Sequence, residues 1–303
     1  MYLYRDTFGG GMRGHSDGFG HAARVRTALA GLLALGACHA GAQSTPAPPR
    51  IVSGSFANGA VSLSYVLERP PGPGPFPAVV LGHGSGETRK EHASFFAAQW
   101  LSRGYAALRY DKRGVGGSSG AYSMVGVANS DRMFADLGGD MAAGVALLRS
   151  LPDIDGKRIG LMGPSQAGWI IPVAARLARP QFMVIVVGPT VTVGEEIYFS
   201  KFAEATTTPL AELSEVLKDF KGPHGFDPKP VLEEVTTPGL WLLGGADRSI
   251  PTPDTIAILD ALIAKGRPFS KVIFPDADHS MRGANLWPEI DRWLDAAGLR
   301  VHR

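Results

Sequence analysis

The chain has 303 residues, a formal net charge of +2, 45% hydrophobic and 19% charged side chains. That composition supports a full core and excludes disorder beyond the N-terminal part. Residues 1 to 42 carry four arginines and two aspartates, leaving 26 basic against 26 acidic residues in the remainder; such a balance has no footprint for nucleic acid. The single cysteine, Cys38, excludes structural disulfides.

The N-terminal segment reads as a leader. Arg24 and Arg26 precede an uncharged run, Thr27 to Ala37, and small residues follow at Ala40 and Ala42. The run is too short to span a bilayer. Basic, apolar and small-residue regions in that order make residues 1–42 a secretory signal peptide, cleaved before Gln43. An alternative is carried by Leu35-Gly36-Ala37-Cys38, which resembles a bacterial lipobox. The preferred expectation is a periplasmic or secreted protein; the alternative is a lipoprotein anchored to a membrane through Cys38. Met12 is an alternative start. Residues 43–49 read as an extended linker and 50–303 as one α/β domain.

In that domain, two β-rich runs between Arg50 and Glu68 flank Ala57-Asn58-Gly59, a hairpin signal. After the proline-rich turn Pro70 to Pro77, extended and helical patterns alternate. Ala78 to Leu81 is extended, Ala93 to Ser102 helical, Tyr105 to Tyr110 extended and Met133 to Ser150 helical. Arg158 to Met162 is extended, Gln166 to Leu177 helical and Phe182 to Val187 extended. This rhythm predicts a mostly parallel sheet with helices on its faces, and the continuous apolar runs suit strands buried on both sides. It breaks over about 190–237, where Glu195 to Lys221 has helical spacing, and this insertion is expected to form a small helical cap. The rhythm resumes with Leu240 to Leu243 and Lys271 to Phe274 as strands, and Thr255 to Ala264 and Trp287 to Ala297 as helices.

The chemistry centres on Gly163-Pro164-Ser165-Gln166-Ala167-Gly168, between a predicted strand and a predicted helix. A serine hydroxyl becomes a useful nucleophile only when a base takes its proton while the side chain is held rigidly. A strained strand-to-helix turn does this, and it needs small residues two before and two after the serine, here Gly163 and Ala167. The stretch resembles the nucleophile elbow of α/β-hydrolases, with Ser165 as the attacking residue.

Among the histidines, His302 lies in the terminal tail, His92 at a helix start and His224 in the expected cap. His279 follows the last predicted strand in Phe274-Pro275-Asp276-Ala277-Asp278-His279-Ser280, which makes it the candidate base. The order Ser, Asp, His requires an acid between the two. Asp247 is selected because it follows the apolar run Leu240 to Leu243 directly, where a carboxylate can orient an imidazole. Asp276 and Asp278 read as loop-shaping residues.

A tetrahedral intermediate needs two backbone N–H donors. One is expected from Gln166, and the other from Leu81-Gly82-His83-Gly84-Ser85-Gly86: Ser85, with Gly84 as the alternative and His83 as loop support. Two further glycine patterns carry no nucleotide expectation. Gly9 to Gly14 matches a dinucleotide fingerprint but has no strand before it, and Gly114 to Gly120 lacks the Gly-Lys-Ser/Thr of a phosphate loop. Preceded by Arg109 to Arg113, the latter resembles the loop after the fourth strand of α/β-hydrolases, with Asp111 as a structural brace.

With these motifs, Ile51 to Ala297 resembles bacterial α/β-hydrolases of the serine esterase and dienelactone-hydrolase-like group. Pro164 stands where that group often has histidine, and Ala167 where it usually has glycine. The resemblance implies an acyl-enzyme at Ser165, His279 as base then acid, Asp247 as its partner, and no cofactor or metal. The expected substrate is a small-molecule carboxylic ester of small to medium size. Thioesterase, acyltransferase and peptidase activities use the same triad and stay open, as does a non-catalytic binding protein. Tyr198, Phe199, Phe202 and Phe220 are read as cap core in preference to an acyl pocket.

Overall fold

The hairpin comes first: β1 (Arg50–Asn58) and β2 (Val61–Arg69) pair antiparallel, with Asn58 opposite Val61. The turn itself is Gly59-Ala60. Gly59 has φ 57°, a conformation glycine adopts without steric cost. Asn58 closes the strand, and its side chain is free to reach Asp140 at 2.8 Å. The structure, a computed structural model, describes residues 48–213 and 215–300. The leader, Cys38, most of the linker and His302 lie outside the described residues.

Next come β3 (Phe76–Leu81), α1 (Ser94–Ser102), β4 (Ala106–Tyr110), α2 (Ser130–Ser150), β5 (Ile154–Pro164), α3 (Ala167–Ala178) and β6 (Phe182–Val186). Three α-helices, α4 (Val193–Ala205), α5 (Leu210–Leu213) and α6 (Lys229–Glu234), precede β7 (Gly239–Gly244), and α7 (Thr252–Ala264) leads to β8 (Phe269–Phe274) and α8 (Trp287–Ala296). The eight strands form one sheet in the order β1-β2-β4-β3-β5-β6-β7-β8. Every pairing from β4 to β8 is parallel, and β2 joins β4 antiparallel.

The central strands are apolar throughout because both faces are covered. Side chains alternate between faces along a strand. Accordingly Ala78, Val80, Met183, Ile185, Trp241 and Leu243 pack in a core with residues of α2, α3, α6 and α7. Val79, Leu81, Phe182, Val184, Leu240 and Leu242 pack in a second core with residues of α1 and α8.

The helical spacing predicted over Glu195 to Lys221 is interrupted. α4 ends at Ala205, Thr206 is extended, and Val216–Asp219 is a single 3-10 turn. The run Thr206-Thr207-Thr208-Pro209 accounts for the break, since β-branched residues lose rotamer freedom in a helix and proline lacks the N–H. At its start α4 is capped reciprocally. Thr192 Oγ1 accepts from Glu195 N, and a Glu195 carboxylate oxygen accepts from Thr192 N.

Strand order sets where loops meet. β3 and β5 are neighbours, while β4 lies on the far side of β3, so the connections leaving β3 and β5 diverge. The crevice at the carboxyl ends of these strands is where open α/β sheets hold their ligands.

Candidate active site

Ser165 occupies the turn between β5 and α3 with φ 54°, a left-handed conformation disfavoured for a non-glycine residue. Surrounding contacts hold it there. Ser165 N donates to Val186 O at 2.8 Å, and Gly168 N donates to Ser165 O at 2.8 Å. A methyl group on Gly163 would stand 2.7 Å from the Ala167 Cβ, so the turn has room for one methyl but not two. Alanine at 167 is therefore compatible with the tight turn. Gly168 is needed for a separate reason: a Cβ there would lie 2.7 Å from backbone atoms of Gly188 and Pro189.

His279 joins Ser165 from the loop after β8. Its Nε2 lies 3.1 Å from Ser165 Oγ, and its Nδ1 lies 2.8 Å from Asp247 Oδ2. Asp247 is buried, and its other oxygen accepts from Ser249 N at 2.7 Å and Ile250 N at 2.9 Å. Because the carboxylate can only accept, Nδ1 carries the proton and Nε2 is left to accept from the serine. Gly244 and Gly245 make the meeting possible. A Cβ on either would come within 2.5 Å of a carbonyl of the loop bearing His279, Ala277 O and Pro275 O respectively. Ala246 N then donates to Ala277 O at 2.9 Å, stitching the two loops together.

Burial by itself pushes the His279 imidazole down. The hydrogen bond and charge of Asp247, with the charges of Glu196 and Asp278, outweigh it and leave the pKa above 6.5. Glu196, on α4, was not singled out in the sequence. Desolvation raises its carboxyl to about 7, with His279 lowering it and Asp247 raising it. Only its place on an otherwise unremarkable helical stretch precedes the fold, and no sequence signal aims it at the site.

The loop after β3 lies against the elbow. Gly82 N donates to Met162 O at 2.7 Å, and a Cβ on Gly84 would be 3.9 Å from Ser165 Cβ. Ser85 is exposed at the loop's outer position. Gln166 precedes the first turn of α3, where backbone N–H groups have no intrahelical acceptor. Its side chain is buried. His83 is fully enclosed: its Nε2 donates to Tyr110 O at 2.7 Å, and desolvation, aided by the charge of Lys112, takes its pKa to about 3. A neutral imidazole hydrogen-bonded to backbone is a support, not a base for Ser165.

Other singled-out residues stand apart from the trio. His92 Nδ1 accepts from Arg89 N, and His224 Nδ1 lies 3.2 Å from Thr192 Oγ1 on the cap helix. Asp278 accepts from Ser280 N and Oγ, as a loop-shaping residue does, and Asp276 is exposed. Asp111 is buried and braces its loop, accepting from Lys90 Nζ, Lys90 N and Gly117 N. A Cβ on Gly116 would meet its carboxylate at 2.5 Å, which explains the glycines that follow it. Phe199 packs with Ala203 and Leu213, whereas Tyr198 and Phe202 are partly exposed. Among the described residues no group of three or more His, Cys, Asp or Glu could hold a metal ion.

Comparison with known proteins places this geometry. Among solved structures, 2,6-dihydroxy-pseudo-oxynicotine hydrolase superposes with a TM-score of 0.61 at 21% identity, over 84% of this chain and 69% of that one. An esterase of Pyrococcus furiosus, Pf2001, gives 0.58 at 18% identity, over 83% and 89%. Dipeptidyl peptidase 4 of Porphyromonas gingivalis gives 0.60 at 18%, over 84% and 36%. At these identities the likeness is one of fold, and the fold is that of the α/β-hydrolases. The quorum-quenching protein AidA of Acinetobacter baumannii (strain MDR-ZJ06) is 33% identical over 116 residues, 37% of this chain and 35% of that protein; the match thus spans about a third of the relative. The model of the prolyl oligopeptidase family matches residues 91–294, a stretch that contains Ser165, Asp247 and His279. The chain has the α/β-hydrolase fold and belongs to the prolyl oligopeptidase family.

Proposed function

We propose that the protein is a serine-dependent acyl hydrolase that cleaves small to medium carboxylic esters through an acyl-enzyme at Ser165. The observation that carries this reading is the continuous chain from Ser165 Oγ to His279 Nε2, 3.1 Å, and from His279 Nδ1 to Asp247, 2.8 Å, with the serine held on a left-handed turn. As Oγ attacks the ester carbonyl carbon, its proton passes to Nε2. The carbonyl oxygen becomes an oxyanion and takes hydrogen bonds from the N–H groups of Gln166 and Ser85, with Gly84 as the alternative second donor. Collapse breaks the bond to the alcohol oxygen, which receives the proton from Nε2. Water repeats the sequence: it gives a proton to Nε2, adds to the acyl carbon, and Ser165 leaves with that proton restored. Asp247 keeps Nδ1 protonated and steadies the imidazolium in each half.

A peptidase reading is favoured by one specific observation, the family match itself. An amide nitrogen is a poorer leaving group than an ester oxygen and depends more on the proton from His279. Rates for p-nitrophenyl acetate and butyrate against aminoacyl p-nitroanilides separate the two. We expect the esters to be preferred; a marked preference for the anilides reassigns the protein as a peptidase. Ser165→Ala is expected to lower turnover by several orders of magnitude, because members of such a triad act as a unit. Near wild-type turnover in that variant would sink the serine mechanism.

A further inference from the structure

Lys112 is a cation with no exposure to solvent, and among the described residues no carboxylate lies within ion-pair distance of it. Enclosing a charge without a counter-ion is costly, and an apolar side chain of similar volume often serves stability as well as a buried ion. The position therefore calls for a reason other than packing. Its hydrogen bonds supply one. Nζ donates to Gly84 O at 2.7 Å, to Gly86 O at 2.9 Å and to Gln166 Oε1 at 3.1 Å, and it sits 4.6 Å from the centre of the Tyr122 ring. All three ammonium protons are used, and the aromatic face offers a further favourable contact for the charge.

These acceptors belong to the two chain segments that carry the proposed oxyanion donors. In a trans peptide the C=O and the following N–H point in opposite directions. With Gly84 C=O drawn onto Lys112, the N–H of Ser85 faces away from the lysine. The carbonyl of Gly86 is held by the same ammonium, so the Gly84–Ser85 and Gly86–Glu87 peptide planes, one on each side of the Ser85–Gly86 plane, are fixed from one point. On the elbow side, Lys112 holds the Gln166 side chain and leaves its main-chain N–H unengaged by the lysine. Tyr122 completes the tie: its hydroxyl accepts from Gly86 N at 3.2 Å while its ring faces the Lys112 ammonium.

We propose that Lys112 is a positioning residue that sets the orientation of the Ser85 N–H and its spacing from the Gln166 N–H, and so builds the oxyanion site without touching the substrate. The proposal rests on the acyl-hydrolase reading above. It also selects Ser85 over Gly84 as the second donor, because the Gly84 carbonyl is the group Lys112 turns. Burial disfavours the charged form and brings the Lys112 ammonium down to about 7, so its three hydrogen bonds act against a desolvation cost.

The test compares wild type, Lys112→Met and Gln166→Met with p-nitrophenyl butyrate, a reversible trifluoromethyl ketone and a fluorophosphonate label. Methionine fills the space of lysine but cannot donate, and Gln166→Met removes the acceptor while keeping the backbone N–H. For each variant we expect kcat to fall about 100-fold, the scale of losing one oxyanion donor, with KM within about 3-fold. Affinity for the ketone, whose adduct carries the oxyanion, should fall in parallel with kcat. A general loss of structure would instead lower the active fraction titrated by the fluorophosphonate and leave kcat per labelled site unchanged. Unchanged kcat and ketone affinity per labelled site in folded Lys112→Met overturn the proposal. If that variant does not fold, unchanged values in Gln166→Met overturn it equally. Absence of Ser165 labelling and ester turnover in the wild type would instead strike the underlying hydrolase reading, a result distinct from a failure of Lys112 alone.

Discussion

Asp247 shows how a single side chain combines two tasks. One oxygen receives two backbone N–H groups of its own loop, and the other receives the imidazole. The first pair of bonds fixes the carboxylate, so that the second can fix the ring. Burial lowers the His279 pKa, while Asp247, Glu196 and Asp278 raise it, with a net rise above 6.5. The base must be neutral to accept the serine proton, so a raised pKa moves the acid limb of the rate profile to higher pH. We expect kcat/KM for p-nitrophenyl butyrate to rise with pH through a midpoint above 6.5. Asp247→Asn removes the hydrogen bond to carboxylate and its charge, which must move that limb to lower pH and reduce kcat by about 10⁴-fold. A limb that stays in place in the variant would show that Asp247 does not set the proton affinity of His279. Ser165, His279 and Asp247 were legible as residues because each follows an apolar run that could only be a strand. Lys112 was not: next to Asp111 and Arg113 it reads as one more charge in a polar loop, and only its burial distinguishes it.

The helical stretch between β6 and β7 brings Glu196 within electrostatic reach of His279 and Asp247. Its first helix, α4, is capped by Thr192 and Glu195, a pattern visible in the residue order. Its other end depends on a residue distant in sequence. Arg248, next to Asp247, donates to Ala203 O, Thr206 O and Thr208 O. Carbonyls at a helix C-terminus lack intrahelical donors, and a cation suits the negative end of the helix dipole. Arg248→Met removes these donors without emptying the space. We expect amide hydrogen exchange over about residues 203–222 to quicken by about 10-fold, matching the loss of one to two net hydrogen bonds, with exchange in β5, β6 and β7 unaltered. Equal protection in variant and wild type would mean that Arg248 does not hold this end of the segment. The helical period read over Glu195 to Lys221 holds for α4 and gives way to short turns after Ala205. That reading passed over the local break at Thr206 to Pro209, and the anchoring by Arg248 had no local signal, because it acts across 40 or more residues.

At the scale of the whole molecule, Asp140 joins regions that the sheet alone leaves separate. It is fully buried on α2, accepts from Arg113 Nε and Nη2 at 2.7 Å each, and accepts from Asn58 in the hairpin at 2.8 Å. Breaking a buried ion pair outright costs about 3–5 kcal/mol; Arg113 also pairs with Asp136 at 2.8 Å, so the loss of Asp140 should cost toward the lower end of that range. Asp140→Ala should therefore shift the urea midpoint strongly downwards, with turnover per folded molecule unchanged at moderate temperature. A loss of less than about 1 kcal/mol would show that Asp136 by itself compensates the Arg113 charge.

By itself the sequence determined the alternation of strands and helices, the buried character of the central strands, the elbow at Ser165 and the order in which its partners appear. These are local properties: hydrophobic period, turn chemistry and the steric demands of a tight strand-to-helix turn. The tertiary structure alone decided which loops meet at the carboxyl ends of β3, β5, β7 and β8, which charges lose water, and which carbonyls turn toward a buried ammonium. The physical reason is that desolvation and hydrogen-bond direction depend on neighbours brought together by strand order, and a residue's immediate sequence carries no record of them.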